Sequence, residues 1–216
     1  MRFRTVIFDC DSTLSAIEGI DELAGPHRAE VARLTERAMA GEISLEAVYG
    51  SRLELLRPTR TQLAALGRQY IERLVAGAGE TVAALQRDGV VVQVMSGGLL
   101  PPVLALARHL GIPDDRVAAV PIWFDADGRY AGFDADCPFT QSGGKRRWIE
   151  AHLDQLPRPI LMVGDGATDL ETRPVVDCFA AFTGVVRRPP VADAADVELA
   201  SLLDVLTLVH AAPESP

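Results

Sequence analysis

The sequence predicts an α/β fold in which a mostly parallel β-sheet carries helices on both faces. Short apolar runs that are typical of buried strands alternate with helical patterns in residues 1–14 and about 79–216 of the 216-residue chain. Between these two parts, residues 15–78 lack strand patterns and are predicted to form helices. We therefore expect an α/β core, formed by residues 1–14 and 79–216, with a helical insertion.

Each element follows from a local pattern in the sequence. The predicted strands lie near residues 4–9, 90–95, 159–163 and 177–182, and the predicted core helices near 80–88, 99–110 and 146–155. Residues 120–134 predict a β-hairpin, because Asp125-Ala-Asp-Gly128 is a turn signal between two aromatic-containing runs. The same four residues could begin a calcium loop, but the twelfth position of that loop is Asp136 instead of glutamate, which favours the turn.

Composition and charge exclude several classes of protein. The net charge is −9, from 21 basic and 30 acidic residues, which argues against a nucleic-acid-binding surface. The apolar run before Asp9 is too short for a signal-peptide core, and no stretch is long enough to span a membrane. The three cysteines include no Cys-x-x-Cys pair, which fits a reducing cytoplasm. We expect a cytoplasmic monomer or homodimer that binds neither nucleic acid nor membranes.

The first predicted strand ends in two carboxylates, Asp9 and Asp11, directly after the apolar run Val6-Ile7-Phe8. Two carboxylates so close repel each other unless a cation neutralises them or one keeps its proton. Either arrangement is used in catalysis, with one Asp as nucleophile or metal ligand and the other as acid and base. Taken alone, the motif is at least as typical of an Asx or Ser/Thr turn.

Two further predicted strands end in polar residues. The run 160–163 is followed by Asp165 and Asp169, and the run 90–95 is followed by Ser96 and two glycines, whose backbone amides can approach a ligand closely. The carboxyl ends of the strands of an open α/β sheet meet in one crevice, where ligands bind. The three strand ends together therefore favour a functional site.

A lysine near a predicted helix start supplies positive charge. Ser142 is a candidate N-cap, which places Lys145 at the start of the helix, where a cation opposes the helix dipole. Taken alone, Lys145 is more typical of a solvated surface. Beside three acidic or phosphate-binding strand ends, it indicates a nearby anion.

The order of these motifs is that of a known superfamily. Asp9-x-Asp11-x-Thr13, Ser96, Lys145 and Gly164-Asp165-Gly166-x-x-Asp169 together resemble the haloacid dehalogenase superfamily of aspartate-nucleophile phosphotransferases. Several longer segments resemble the phosphoserine phosphatase family: Glu18-Gly-Ile-Asp-Glu-Leu-Ala24, Arg37-Ala-Met39, Ser96-Gly-Gly98, Tyr130-Ala-Gly-Phe-Asp134 and Ser142-Gly-Gly-Lys145. The similarity runs from about Phe3 to about Leu206.

The resemblance implies a Rossmann-like core with residues 15–78 as a cap and the hairpin as a flap over the site. It implies that Asp9 is the nucleophile and that Asp11 is the acid and base. It implies a Mg²⁺ cofactor held by the Asp9 side chain, the Asp11 carbonyl and the Asp165 side chain, with Asp169 acting directly or through water. The implied phosphoryl-binding groups are Ser96, the Gly97 amide and Lys145, with Thr13 and Thr168 in support.

In the predicted cap, Arg52 interrupts an apolar helical stripe, and a half-buried guanidinium needs a partner. Snorkelling to solvent and a structural ion pair are as typical as a clamp on a carboxylate. The resemblance implies that Arg52 binds the carboxylate of phosphoserine, that Glu18 holds its ammonium group and that Met39 packs over it. Ala40 stands where the family often has glycine.

The function expected from these residues is Mg²⁺-dependent hydrolysis of O-phosphoserine through an aspartyl-phosphate. The same motifs would serve another small phosphomonoester or a transfer to an acceptor other than water. A receiver module also carries a phosphorylatable Asp and a distant Lys. Asp11 and the inserted helices argue against that alternative.

Overall fold

A computed structural model describes residues 2–39 and 44–211, except for the side chains of residues 35–39 and 45. The strands are β1 Thr5–Phe8, β2 Val91–Leu99, β3 Val117–Val120, β4 Ile122–Phe124, β5 Tyr130–Phe133, β6 Ile160–Gly164, β7 Cys178–Phe182 and β8 Val197–Leu199. The helices are α1 Gly19–Ala24, α2 Arg28–Met39, α3 Leu45–Leu56, α4 Arg60–Glu72, α5 Ala78–Arg87, α6 Leu100–His109, α7 Gly144–Ala151, α8 Ala167–Leu170, α9 Pro189–Ala192 and α10 Asp204–His210.

The central sheet has six strands in the order β3-β2-β1-β6-β7-β8, and all neighbouring pairs are parallel. The prediction of a mostly parallel sheet is therefore confirmed, and the four predicted strands correspond to β1, β2, β6 and β7. Strand β1 is central, and its residues Val6, Ile7 and Phe8 are fully buried. Val6 and Phe8 pack into one apolar cluster and Ile7 into another, as expected for a sheet that is covered on both faces.

The sheet register aligns the strands that carry the candidate site residues. Phe8 pairs with Val94 of β2 and with Val163 of β6, so the chain leaves all three strands at the same edge. Strand β2 continues to Leu99 instead of ending near residue 95, and its pairing with β3 shifts register between Met95 and Leu99. Ser96 therefore lies within the irregular end of a strand and not after it.

The predicted helical region contains α1 to α4. Helix α3 begins at the N-cap Ser44, and α4 begins with a capping box between Thr59 and Gln62. Helix α4 packs on the core helix α6 and buries Leu63, Leu66 and Tyr70. Met39 is the last residue of α2, and its side chain lies outside the described part, as does all of Ala40.

The hairpin prediction is confirmed. Strands β4 and β5 pair antiparallel, and the turn between them is closed by a hydrogen bond from the Gly128 amide to the Asp125 carbonyl. The backbone φ of Gly128 is 78°, a conformation that glycine adopts without steric cost. The described helices include none long and apolar enough to cross a membrane.

The prediction of Ser142 as a helix N-cap is wrong. The N-cap of helix α7 is one residue later, at Gly143, and no side chain caps the helix from that position. The Ser142 hydroxyl instead donates to Glu171 Oε1 at 2.9 Å, and the Gly143 amide donates to Glu171 Oε2 at 2.6 Å. The Glu171 carboxylate, just after α8, therefore takes the place of the cap. No local pattern in the sequence indicates this contact, because Glu171 is distant from Ser142 in the chain. The predicted helix at 146–155 ends at Ala151, and Leu153–Gln155 form a 3₁₀ turn.

Candidate active site

Lys145 lies at the centre of a buried ionic cluster. Its Nζ is 2.7 Å from Asp9 Oδ1 and 2.6 Å from Asp169 Oδ1, and its side chain is only 4% exposed. Burial alone would lower the pKa of the Lys145 ammonium, but the Asp169 and Asp9 carboxylates outweigh this effect and raise it. The alternative of a solvated surface lysine is therefore wrong.

Asp165 and Asp169 follow β6 and face Asp9. Asp165 accepts hydrogen bonds from Thr13 Oγ1 at 3.3 Å and from Arg188 Nε at 2.9 Å. Asp169 is fully buried, and its Oδ2 accepts the Gly166 amide at 2.9 Å. Each of the three carboxylates thus has at least one donor that orients it, and the Lys145 ammonium and the Arg188 guanidinium offset part of their negative charge.

The donor set suits a hard divalent cation. One carboxylate oxygen each from Asp9, Asp165 and Asp169 lie within 4.8 Å of one another, and all three residues are buried. Burial, reinforced by the Asp169 charge, raises the pKa of the Asp9 carboxyl well above its ordinary value, and the same two causes raise that of Asp165. Mg²⁺ and Ca²⁺ take oxygen ligands of this kind, and a cation here would relieve the repulsion. The residues present therefore fit the expected metal.

Asp11 lies two residues beyond Asp9 and is held by donors on both oxygens. Its Oδ1 accepts the Tyr70 hydroxyl at 2.6 Å and the Gly19 amide at 2.7 Å, whereas its Oδ2 accepts a long bond of 3.4 Å from Ser96 Oγ. Burial raises the pKa of Asp11 to about 6, against the opposing effect of the Tyr70 hydrogen bond. A carboxyl with this pKa can exchange a proton near neutral pH.

Ser96 and Gly97, near the end of β2, lie on the other side of the crevice. Ser96 is fully buried, and its Oγ accepts the Gly98 amide at 2.9 Å. The Gly97 carbonyl accepts the hydroxyl of Tyr49 at 3.0 Å, which ties α3 to the end of β2. The structure thus brings Ser96 to Asp11, as the motif order predicts.

A cleft of about 600 Å³ is lined by both Glu18 and Arg52, and its described lining residues do not include the carboxylates of the cluster. Glu18 is exposed, and its Oε1 accepts Ser12 Oγ at 2.7 Å and Arg188 Nη2 at 3.2 Å. Arg52 is half-buried on α3. Thr168 is exposed at the start of α8, while the buried Thr172 donates to the Asp169 carbonyl at 2.6 Å.

Among the described residues, sequence reasoning missed Tyr49, Tyr70 and Arg188, which contact Gly97, Asp11 and Asp165. It also missed Glu171, which contacts Ser142 and Gly143 just before Lys145. Tyr49 carried a signal only as part of an apolar helical stripe. Tyr70, Glu171 and Arg188 stand outside the recognised motifs. Their roles depend on contacts between elements that are distant in the chain.

The comparison with known proteins agrees with this geometry. The sequence model of the haloacid dehalogenase-like hydrolase family matches residues 3–172 of this chain. The phosphoserine phosphatases of Bos taurus and Homo sapiens are each 39% identical to this chain over 204 residues, which cover 93% of it and 91% of each relative.

Solved structures show the same fold. A structure of a phospho-aspartyl intermediate analogue of phosphoserine phosphatase has 26% sequence identity and a TM-score of 0.78, with 96% of this chain and 99% of that chain covered. A phosphoserine phosphohydrolase-like protein from Francisella tularensis has a TM-score of 0.82 at 24% identity, covering 95% and 99%. On the sequence identity, the matched motifs and the shared fold, this chain belongs to the phosphoserine phosphatase family of haloacid dehalogenase-like hydrolases.

Proposed function

We propose that this protein hydrolyses O-phospho-L-serine to L-serine and phosphate through an aspartyl-phosphate intermediate. The observation that carries the proposal is the position of Asp9, which lies at the end of β1 with Lys145 2.7 Å away and Asp11 two residues on. A carboxylate beside a buried cation and a second carboxyl is arranged for nucleophilic attack on an anionic phosphoryl group.

In the first step an Asp9 oxygen forms a bond to phosphorus while the bond from phosphorus to the serine oxygen breaks. Asp11 gives its proton to that leaving oxygen. In the second step Asp11 takes a proton from water as the water oxygen attacks the phosphorus of the aspartyl-phosphate, and Asp9 is released. Ser96, the Gly97 amide and Lys145 hold the phosphoryl oxygens throughout.

The metal-binding residues in this proposal are the Asp9 and Asp165 side chains and the Asp11 carbonyl, with Asp169 acting directly or through water. Bound Mg²⁺ supplies positive charge that offsets the negative charge of the phosphoryl oxygens. Thr13 supports Asp165 through its hydrogen bond, and Thr168, the residue before Asp169, is the second proposed supporting threonine.

Substrate selection is assigned to residues 15–78, which we propose as a cap over a core of residues 1–14 and 79–216, with the β4–β5 hairpin as a flap. Arg52 binds the substrate carboxylate and Glu18 its ammonium group, since both line the same cleft. Met39, whose side chain lies outside the described part, is the third residue that we propose for substrate binding. We place the protein in the cytoplasm, which its three free, buried cysteines support, and we propose that it is a monomer or homodimer.

The test is a screen of phosphate release across phospho-amino acids and sugar phosphates, with Mg²⁺ and with chelator. We expect the highest kcat/KM for O-phosphoserine, and turnover only with the metal. Preference for a sugar phosphate would overturn the substrate assignment, and absence of turnover on every phosphomonoester would overturn the hydrolase assignment.

A further inference from the structure

Tyr70 makes a short hydrogen bond to Asp11, the proposed acid and base of this site, and the sequence motifs do not include it. Its hydroxyl donates to Asp11 Oδ1 at 2.6 Å, and the residue is completely buried. The Gly19 amide donates to the same oxygen at 2.7 Å. Two strong donors therefore point at Oδ1, whereas the hydrogen bond that Oδ2 makes within the described part of the chain is the long one of 3.4 Å from Ser96 Oγ.

This asymmetry decides which oxygen can carry a proton. A proton on Oδ1 would point toward the Tyr70 O–H and the Gly19 N–H, which are both donors. Such an arrangement is unfavourable because the hydrogens repel one another and hydrogen bonds to Oδ1 are weakened. A proton on Oδ2 leaves both bonds to Oδ1 intact. Oδ2 is also the oxygen that faces Ser96, which we assign to phosphoryl binding.

The position of Tyr70 is fixed by the core. Helix α4 packs on α6, and its last turn is attached to the segment after Asp11. Buried Ser15 donates to the Tyr70 carbonyl at 3.1 Å, and the Ala16 amide donates to the Arg73 carbonyl at 2.8 Å. Gly19 leaves the room that the hydroxyl needs, since a Cβ there would lie 2.1 Å from the Tyr70 hydroxyl oxygen.

We infer that Tyr70 is a positioning residue for general acid catalysis, which directs the proton of Asp11 onto Oδ2 and toward the leaving oxygen of the substrate. The inference rests on the proposed function, in which Asp11 is the acid. As Asp9 bonds to phosphorus and the ester bond breaks, the Oδ2 proton passes to the leaving oxygen and Asp11 becomes a carboxylate. Tyr70 keeps its own proton and donates to Oδ1 throughout.

The test exploits the basicity of the leaving oxygen. An alkoxide such as that of serine needs a proton as it leaves, whereas p-nitrophenolate does not. Tyr70→Phe keeps the ring and removes one oxygen. We expect it to lower kcat/KM for phosphoserine about 10- to 100-fold, a part of the 10²–10⁴ that a general acid contributes. For p-nitrophenyl phosphate we expect a change of less than about twofold.

A series of phenyl phosphates extends the test. The loss in Tyr70→Phe should grow as the leaving phenol becomes more basic, whereas a folding defect would lower all rates by one factor. Tyr49→Phe is the matched control, because that hydroxyl contacts the Gly97 carbonyl and should affect alkyl and aryl phosphates equally. Equal losses on all substrates in Tyr70→Phe, or no loss on any, would overturn the inference.

Whether the proposed function itself fails is tested separately, by measuring the hydrolysis of phosphoserine by the wild-type protein. If the wild-type protein hydrolyses another alkyl phosphate instead, the same comparison is made with that substrate, because the argument concerns the leaving oxygen and not the amino acid.

Discussion

Replacing Lys145 with methionine removes the positive charge from the buried cluster and keeps a side chain of similar length. Asp9 and Asp169, whose side chains are 11% and 0% exposed, would then face each other without their shared cation. Removing one partner of a buried ion pair costs about 3–5 kcal/mol, because the remaining charge is left uncompensated. For a chain of this size, about 2–4 °C of Tm are lost per kcal/mol, so we expect a decrease of about 6–20 °C.

The assay is thermal unfolding followed by circular dichroism, in chelator and in excess Mg²⁺. The decrease should be largest in chelator and smaller with Mg²⁺, because a bound cation replaces part of the missing charge. Turnover should fall by about 10²–10³, as on the loss of one charge-stabilising donor.

Arg146→Met is the matched control at the adjacent position. Its ion pair with Glu150 is exposed, with side chains 47% and 42% accessible, so its loss should change stability by less than about 1 kcal/mol. If Lys145→Met unfolds in chelator at the wild-type temperature, the buried cluster does not carry the charges assigned to it.

Four further predictions concern the chemistry of the site. Asp9→Asn should abolish turnover with the fold intact, and a trapped phosphoenzyme should carry its label on Asp9; label on a serine or cysteine would contradict the mechanism. Chelator should remove activity and Mg²⁺ should restore it. Ca²⁺ should support little turnover, because its looser coordination misplaces the nucleophile. Full activity in excess chelator would exclude a role of the metal in turnover. Arg52→Ala should lower kcat/KM for phosphoserine by roughly 10- to 100-fold, the equivalent of a charge-assisted contact of about 1.5–3 kcal/mol, and Glu18→Gln should act similarly. Equal losses on a small phosphate donor that lacks both groups would mean that these residues only stabilise the cap. Asp11 has a folded-state pKa of about 6, above its ordinary value of 3.8, so its ionisation destabilises the folded protein as pH rises from about 4 to 6. Asp11→Asn should therefore be more stable than the wild-type protein above pH 6 in chelator, and urea denaturation that shows the two equally stable there would refute this.

The sequence predicted the parts of the fold that depend on short-range pattern. Strands β1, β2, β6 and β7 are recognisable as buried apolar runs, and the hairpin turn has a distinctive glycine. Strands β3 and β8 were not predicted, because these short edge strands, Val-Ala-Ala-Val and Val-Glu-Leu, are only partly buried and contain fewer β-branched or aromatic residues than β1, which is as short as β3 but fully buried. The division into cap and core remains a prediction, and α4 packs on the core helix α6 although it lies within residues 15–78.

The sequence by itself determined where the candidate site lies, because Asp9, Asp11, Ser96 and Asp165 each lie at or just after the end of a recognisable apolar run. Parallel strands have one polarity, so their carboxyl ends meet at one sheet edge whatever the remaining chain does. Only the tertiary structure decided which groups hold those carboxylates. Lys145 is buried and not solvated because α7 places it between Asp9 and Asp169, and Tyr70 reaches Asp11 across 59 positions of the chain. Such contacts are set by the packing of whole helices against the sheet, which leaves no local pattern in the sequence.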